Sequence, residues 1–156
     1  MPSEPHVRQL VREALAGVIT GLPLTLDRVF QSRSIPFQTV ELPAMAIYSE
    51  RETVKPDTLA RGLMRTLELR IDCYADGAEV GTEQADNELH NLIDNLSADI
   101  ELAVSLDTTL GGIVEDCYLA SSDIEFSDMD RLVAVISMRY TAIYFTNETD
   151  PTVLIN

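Results

Sequence analysis

The stretch LVAVISMRYTAIYFT, residues 132–146, constrains the fold more than any other part of the chain. It is rich in β-branched and aromatic residues and alternates between two faces. Leu132, Ala134, Ile136, Met138, Tyr140, Ala142 and Tyr144 form one face. Val133, Val135, Ser137, Arg139, Thr141, Ile143 and Phe145 form the other. Both faces are largely apolar. A strand of this kind belongs inside a sheet, with one face packed on helices. The other face needs its own cover, either a folded-back loop or an interface.

The preceding strand, GIVEDCYLASSDIEF (112–126), is joined to it by the short acidic connection 127–131, so the two form an antiparallel hairpin. TLELRIDCY (66–74) is a half-buried strand, with Leu67, Leu69, Ile71 and Cys73 inward and Glu68, Arg70 and Asp72 outward. Two shorter strands are predicted at 28–32 (RVFQS) and 44–49 (AMAIYS). Two segments carry helical spacing instead. Val7, Leu10, Val11, Ala14, Leu15, Val18 and Ile19 stripe a helix over 6–20, with Ser3 as a cap and Gly21 and Pro23 as stops. Ala85, Leu89, Leu92, Ile93, Leu96, Ile100 and Ala103 stripe a second over 82–103, capped by Thr82. The order helix, three strands, helix, two strands predicts an α+β fold, a mixed and mostly antiparallel sheet with both helices packed on one face. Residues 1–147 are expected to form one domain, and 148–156 a tail without a core partner. ERETVKPDTLARG (50–62), charged and carrying proline and glycine, reads as a mobile loop.

Charge is distributed unevenly. Residues 1–70 hold nine basic and eight acidic side chains, whereas 71–130 hold sixteen acidic ones and no Lys or Arg. Such a field repels phosphate and anionic membrane surfaces. It suits a solvated face, a surface that must not adhere to DNA, or one that meets a basic partner. Lysine occurs once and arginine ten times. Arginine favours planar contacts with carboxylates at interfaces, so the chain could pair with copies of itself. No signal peptide or membrane-spanning run is visible. The two cysteines, Cys73 and Cys117, sit in apolar alternation as small buried hydrophobes, which points to a reducing cytoplasm.

DTTLGG (107–112) places its glycines after a helix and before a strand, the reverse of a phosphate loop, so Gly111 and Gly112 turn the backbone. Asp86, His90 and Asp94 share a helix face at i, i+4 spacing, but on its polar side, where solvation is the simpler role. DIEFSDMDR (123–131) lacks the mid-loop glycine and closing glutamate of a calcium loop. There is no nucleophile elbow and no Cys–His pair. No catalytic, cofactor or metal residue is predicted, and the chain is not expected to be an enzyme.

LPAMAIYSERETV (42–54), TLELRIDCYADG (66–77), DTTLGG (107–112), the opening helix VRQLVREALAGVITGLP and the closing YTAIYFT together resemble the tail terminator, or tail completion, proteins of long-tailed bacteriophages and prophages. The resemblance spans about residues 5–147. It implies a small structural protein that assembles as a homo-hexameric ring on the tail tube, stops tube polymerisation and offers a surface to the head-completion or connector protein. It implies the host cytoplasm during assembly and the virion tail or neck afterwards, with DNA passing through the ring without specific binding. It implies no cofactor and no membrane. Arg51, Lys55 and Arg61 of the 50–62 segment are the expected contacts with tube or connector, and Arg139, Ile143 and Phe145 the expected contacts on the second sheet face. The alternatives are another head–tail joining or minor tail protein, and an acidic protein-binding module unrelated to phage.

Overall fold

The computed structural model describes residues 4–38, 41–59, 61–77, 83–127 and 133–155. Ser3, Thr82, Leu132 and the acidic connection at 128–131 lie outside them. Helix α1 spans Val7–Ile19 and α2 spans Glu83–Ser105. Strands β1 (Val29–Gln31), β2 (Ala44–Asp57), β3 (Gly62–Asp76), β4 (Asp116–Ser127) and β5 (Val133–Asn147) form one sheet in the order β1-β2-β3-β5-β4. Only β1 and β2 run parallel.

The hydrophobic pattern accounts for the layers. Val7, Val11, Leu15 and Ile19 from α1 join Leu89, Ile93, Leu96, Ile100 and Val104 from α2. Both stripes lie on Leu67, Leu69, Ile71 and Cys73 of β3 and on Ile136, Met138, Tyr140 and Tyr144 of β5. At roughly 1.5–3 kcal/mol for each large apolar side chain, this layer supplies the main driving force for folding. The expected α+β architecture, with two helices over a mostly antiparallel sheet, is what the chain adopts. His6 Nδ1 caps α1 by accepting from the Arg8 backbone N–H at 3.0 Å.

The 50–62 segment departs from expectation: it is not a loop. Strand β2 continues to Asp57 and pairs with β3 through to Asp57↔Gly62, making a long hairpin. Pro56, which argued against a strand, is tolerated because β1 covers only Met45–Ile47 and leaves the rest of β2 as a sheet edge. The fifth strand's partner also begins later than predicted, at Asp116. Residues 111 and 112 instead turn the chain at φ +73° and +87°, while Asp107 accepts from the Gly111 N–H at 3.0 Å. That is the turning role expected for Gly111 and Gly112, since positive φ is cheap only for glycine.

The final segment also has a partner, contrary to expectation. Leu154 bridges to Thr146 and packs on the core. The Ile155 N–H donates to the Phe145 carbonyl, and the Val7 N–H to the Pro151 carbonyl, each at 3.0 Å. Three apolar residues in a row, Val153 to Ile155, are too few to show periodicity, yet enough to pair with the end of β5.

Candidate functional site

The helices cover one face of the sheet. On the other, cross-strand partners define rows of side chains. Lys55, Met64 and Phe145 form one row; Thr53, Thr66, Ile143 and Asp116 the next; Arg51, Glu68, Thr141 and Tyr118 the next. The register therefore gathers Arg51, Lys55, Arg139, Ile143 and Phe145 on a single face. Arg61 stands apart in the turn of the hairpin, at φ +50°. Ile143 and Phe145 are half-buried, whereas Arg51, Lys55 and Arg61 are exposed. Among the described residues those three cations have no ion-pair partner.

Arg139 is different, because its own chain already pairs it. A β-bulge shifts the register between Ser49 and Arg51, and Glu50 reaches across the face. Arg70 contacts both Glu50 and Asp72, the latter at 3.0 Å. Arg139 contacts Glu50 at 3.5 Å and Asp123 at 2.6 Å. The result is an alternating ladder, Asp72–Arg70–Glu50–Arg139–Asp123, spanning four strands. Arg70 also lies over the Tyr48 ring, 4.6 Å from its centroid.

One end of this face is covered, by residues 32–38 and 41–42 rather than by 50–62. Phe37 stacks between Phe30 and Tyr74, with ring centroids 5.3 and 4.9 Å away. Arg33 lies over the Phe30 and Phe37 rings and forms a two-pronged contact with Glu41 at 2.9 and 3.0 Å. Those hydrogen bonds hold the half-buried Glu41 carboxyl below its usual range. A cleft of about 390 Å³ remains under the segment, lined by Arg33, Phe37, Tyr48 and Tyr74 among others. Two of its polar groups hold the segment down: Arg33 pairs with Glu41, and the Tyr48 hydroxyl donates to the Arg33 carbonyl at 2.6 Å.

On the opposite, helix-covered face, where α1 begins, Glu52 is buried between two arginines. Its carboxylate contacts Arg65 at 2.6 Å and Arg8 at 3.1 Å, and accepts from the Tyr144 hydroxyl at 3.2 Å. Arg65 also donates to Thr146 Oγ1 at 2.8 Å. This cluster ties α1, β2, β3 and β5 together. Sequence periodicity gave no sign of it, because Glu52 lies in a run of alternating charges.

Among the described residues, no three His, Cys, Asp or Glu side chains converge on a possible metal position. His90 packs on the Phe126 ring at 4.1 Å. Cys73 and Cys117 are fully buried, and burial pushes the Cys117 thiol up to about 12, with Asp116 adding to the shift. Burial likewise raises the Cys73 thiol, so neither offers a nucleophile. No helix among the described residues is long and apolar enough to cross a membrane.

No family model and no curated protein matches the chain. Among solved structures, it is similar to a chain from a "virion of native gene transfer agent (GTA) particle", at 12% identity and a TM-score of 0.38. The match covers 88% of this chain and 90% of the other. Similarity at that TM-score carries no argument about role.

Proposed function

We propose that this protein is a structural subunit of a phage-type tail: a tail terminator that closes into a ring on the tube end, stops polymerisation and presents a docking surface to the head connector. The observation that carries the proposal is the open sheet face. Its central strands hold Ile143, Phe145 and Met64 half-exposed beside the exposed cations Arg51 and Lys55, a composition that suits burial against another protein. The tail-specific part rests on the resemblance of 42–54, 66–77 and 107–112 to the terminator family. We read the chain as non-enzymatic, with the buried thiols and the pinned-down aromatic cleft serving structure. The acidic surface, including Glu83, Asp86, Glu88, Asp94 and Glu101 along α2, fits a channel wall that repels DNA instead of binding it.

The test is to mix the full chain with the tail tube protein of the same phage or prophage during tube growth, then image the products. Rings at one tube end and shortened tubes are expected. Tubes of unchanged length with bare ends would overturn the proposal.

A further inference from the structure

We infer that the tip of the β2–β3 hairpin is a plug, and that its socket is the groove at the C-terminal end of α2 on a second copy of this chain. The inference rests on the ring proposal and names the contact that would build the ring.

The plug combines an apolar tip with cations. Leu59 is 97% exposed at the turn, a single apolar side chain set among the cations of the hairpin. Arg61 follows it, and Lys55 and Arg51 line the arm behind. The arm is closely packed at its base. Gly62 pairs with Asn147, and a Cβ there would meet Ile155 Cδ1 and the Thr146 carbonyl oxygen, each at 2.9 Å. The docked C-terminal segment thus sits against the base of the hairpin.

The socket has the complementary character. A groove of about 240 Å³ is lined by Val104, Ser105, Cys117, Tyr118, Leu119 and Tyr140, with Glu101 also on its wall. Tyr140 is 2% exposed, yet its hydroxyl finds no hydrogen-bond partner among the described residues. Tyr118 is exposed, and the same end of α2 also exposes Leu102 and Leu106. Around this end the charge is of one sign: Glu101, Asp107, Glu115 and Asp116 lie in the stretch of sequence that contains no Lys or Arg.

Topology prevents one copy from satisfying itself and favours a neighbour. The hairpin lies on the β2–β3 side and the groove on the β4 side, with β5 between them. Both occupy the same end of the sheet, since Gly62 pairs with Asn147 and Asp116 with Ile143. Four residues of β5 separate those pairings, so the tip projects roughly 14 Å beyond the start of β4. Plug and socket on opposite edges of identical copies join head to tail, the arrangement from which closed rings are built. This assigns Arg61 and Lys55 to the subunit contact rather than to the tube or connector.

Leu59→Cys and Ser105→Cys chains, mixed at equal amounts under mild oxidation, test the inference. Both positions are exposed, and the native thiols are buried. A mixed disulfide dimer is expected, at a yield roughly tenfold or more above that of Leu59→Cys with Asn91→Cys, because docking raises the local thiol concentration. Asn91 lies on the same helix, roughly 21 Å along its axis from Ser105. Leu59→Asp in the otherwise native chain should lower the solution mass without lowering the melting temperature. Equal yields for the two pairs would overturn the plug and socket, and if the native chain still forms rings, the ring proposal stands without it. A specific cross-link in a chain that never exceeds a dimer would keep the contact and overturn the ring.

Discussion

Replacing Glu52 with alanine should cost the fold about 3–5 kcal/mol. The figure follows from what is left behind. The Glu52 side chain is 5% exposed and Arg65 only 11%, so the 2.6 Å pair is nearly dry. Removing the carboxylate strands the Arg65 guanidinium, with Thr146 Oγ1 as its remaining hydrogen-bond acceptor. It also deprives the Tyr144 hydroxyl of its acceptor. Arg8, on the same carboxylate, is 44% exposed and can turn to water, so Arg8→Ala should cost no more than about 1 kcal/mol. Domains of this size are stable by about 5–15 kcal/mol, so Glu52→Ala removes a large fraction of the total. In melting temperature the loss is roughly 6–20 °C. Urea unfolding of the native, Glu52→Ala and Arg8→Ala chains measures both values, with an unchanged slope showing that the unfolded state is comparable. A Glu52→Ala loss under about 1 kcal/mol, or equal losses for the two variants, would refute the reasoning.

Three further outcomes follow from particular contacts. Burial, then Arg8 and Arg65, hold the His6 imidazole below its ordinary value, so the unfolded chain takes up this proton more readily than the folded one. Stability contributed by neutral His6 is therefore present above about pH 6.5 and lost as pH falls below it; His6→Asn, which keeps a capping acceptor, should flatten that part of the pH profile, and parallel profiles would contradict the cap. Both cysteines should resist a thiol reagent in the native protein and react fully in denaturant, while rapid native labelling would contradict their burial. Gly62→Ala should destabilise by roughly 1–3 kcal/mol, because the Thr146 carbonyl cannot swing aside as Ile155 can; no measurable change would show that the hairpin base is looser than described.

Much of the fold was legible because burial imposes a period. α1, α2, β3 and β5 each bury one face, and their apolar residues recur at the spacing of a helix or a strand. The outer half of β2 was not legible, for the same reason in reverse. Beyond Glu52, whose carboxylate still meets Arg8 of α1, it extends past the helix layer, so Val54 is 44% exposed and nothing selects apolar residues there. What remains is an edge strand of alternating charges with a proline, which looks like a loop. Arg51, Lys55, Arg139, Ile143 and Phe145 could be placed on one face only once the register of three strands was known. Arg139 looked available in sequence, whereas the bulge at Glu50 and the pairing with Asp123 hold it in place. Leu59 was hidden inside a charged segment; a lone leucine there gives no periodic signal, and only the projecting turn reveals its exposure.

The central claim is that copies of this chain close into a ring. Light scattering of the full chain, over a range of concentrations and at low and high salt, tests it most directly. A species of six times the 17.3 kDa chain mass is expected, growing in with concentration and weakened by salt where Arg61 and Lys55 meet carboxylates. A mass of one chain at every concentration and salt would contradict it.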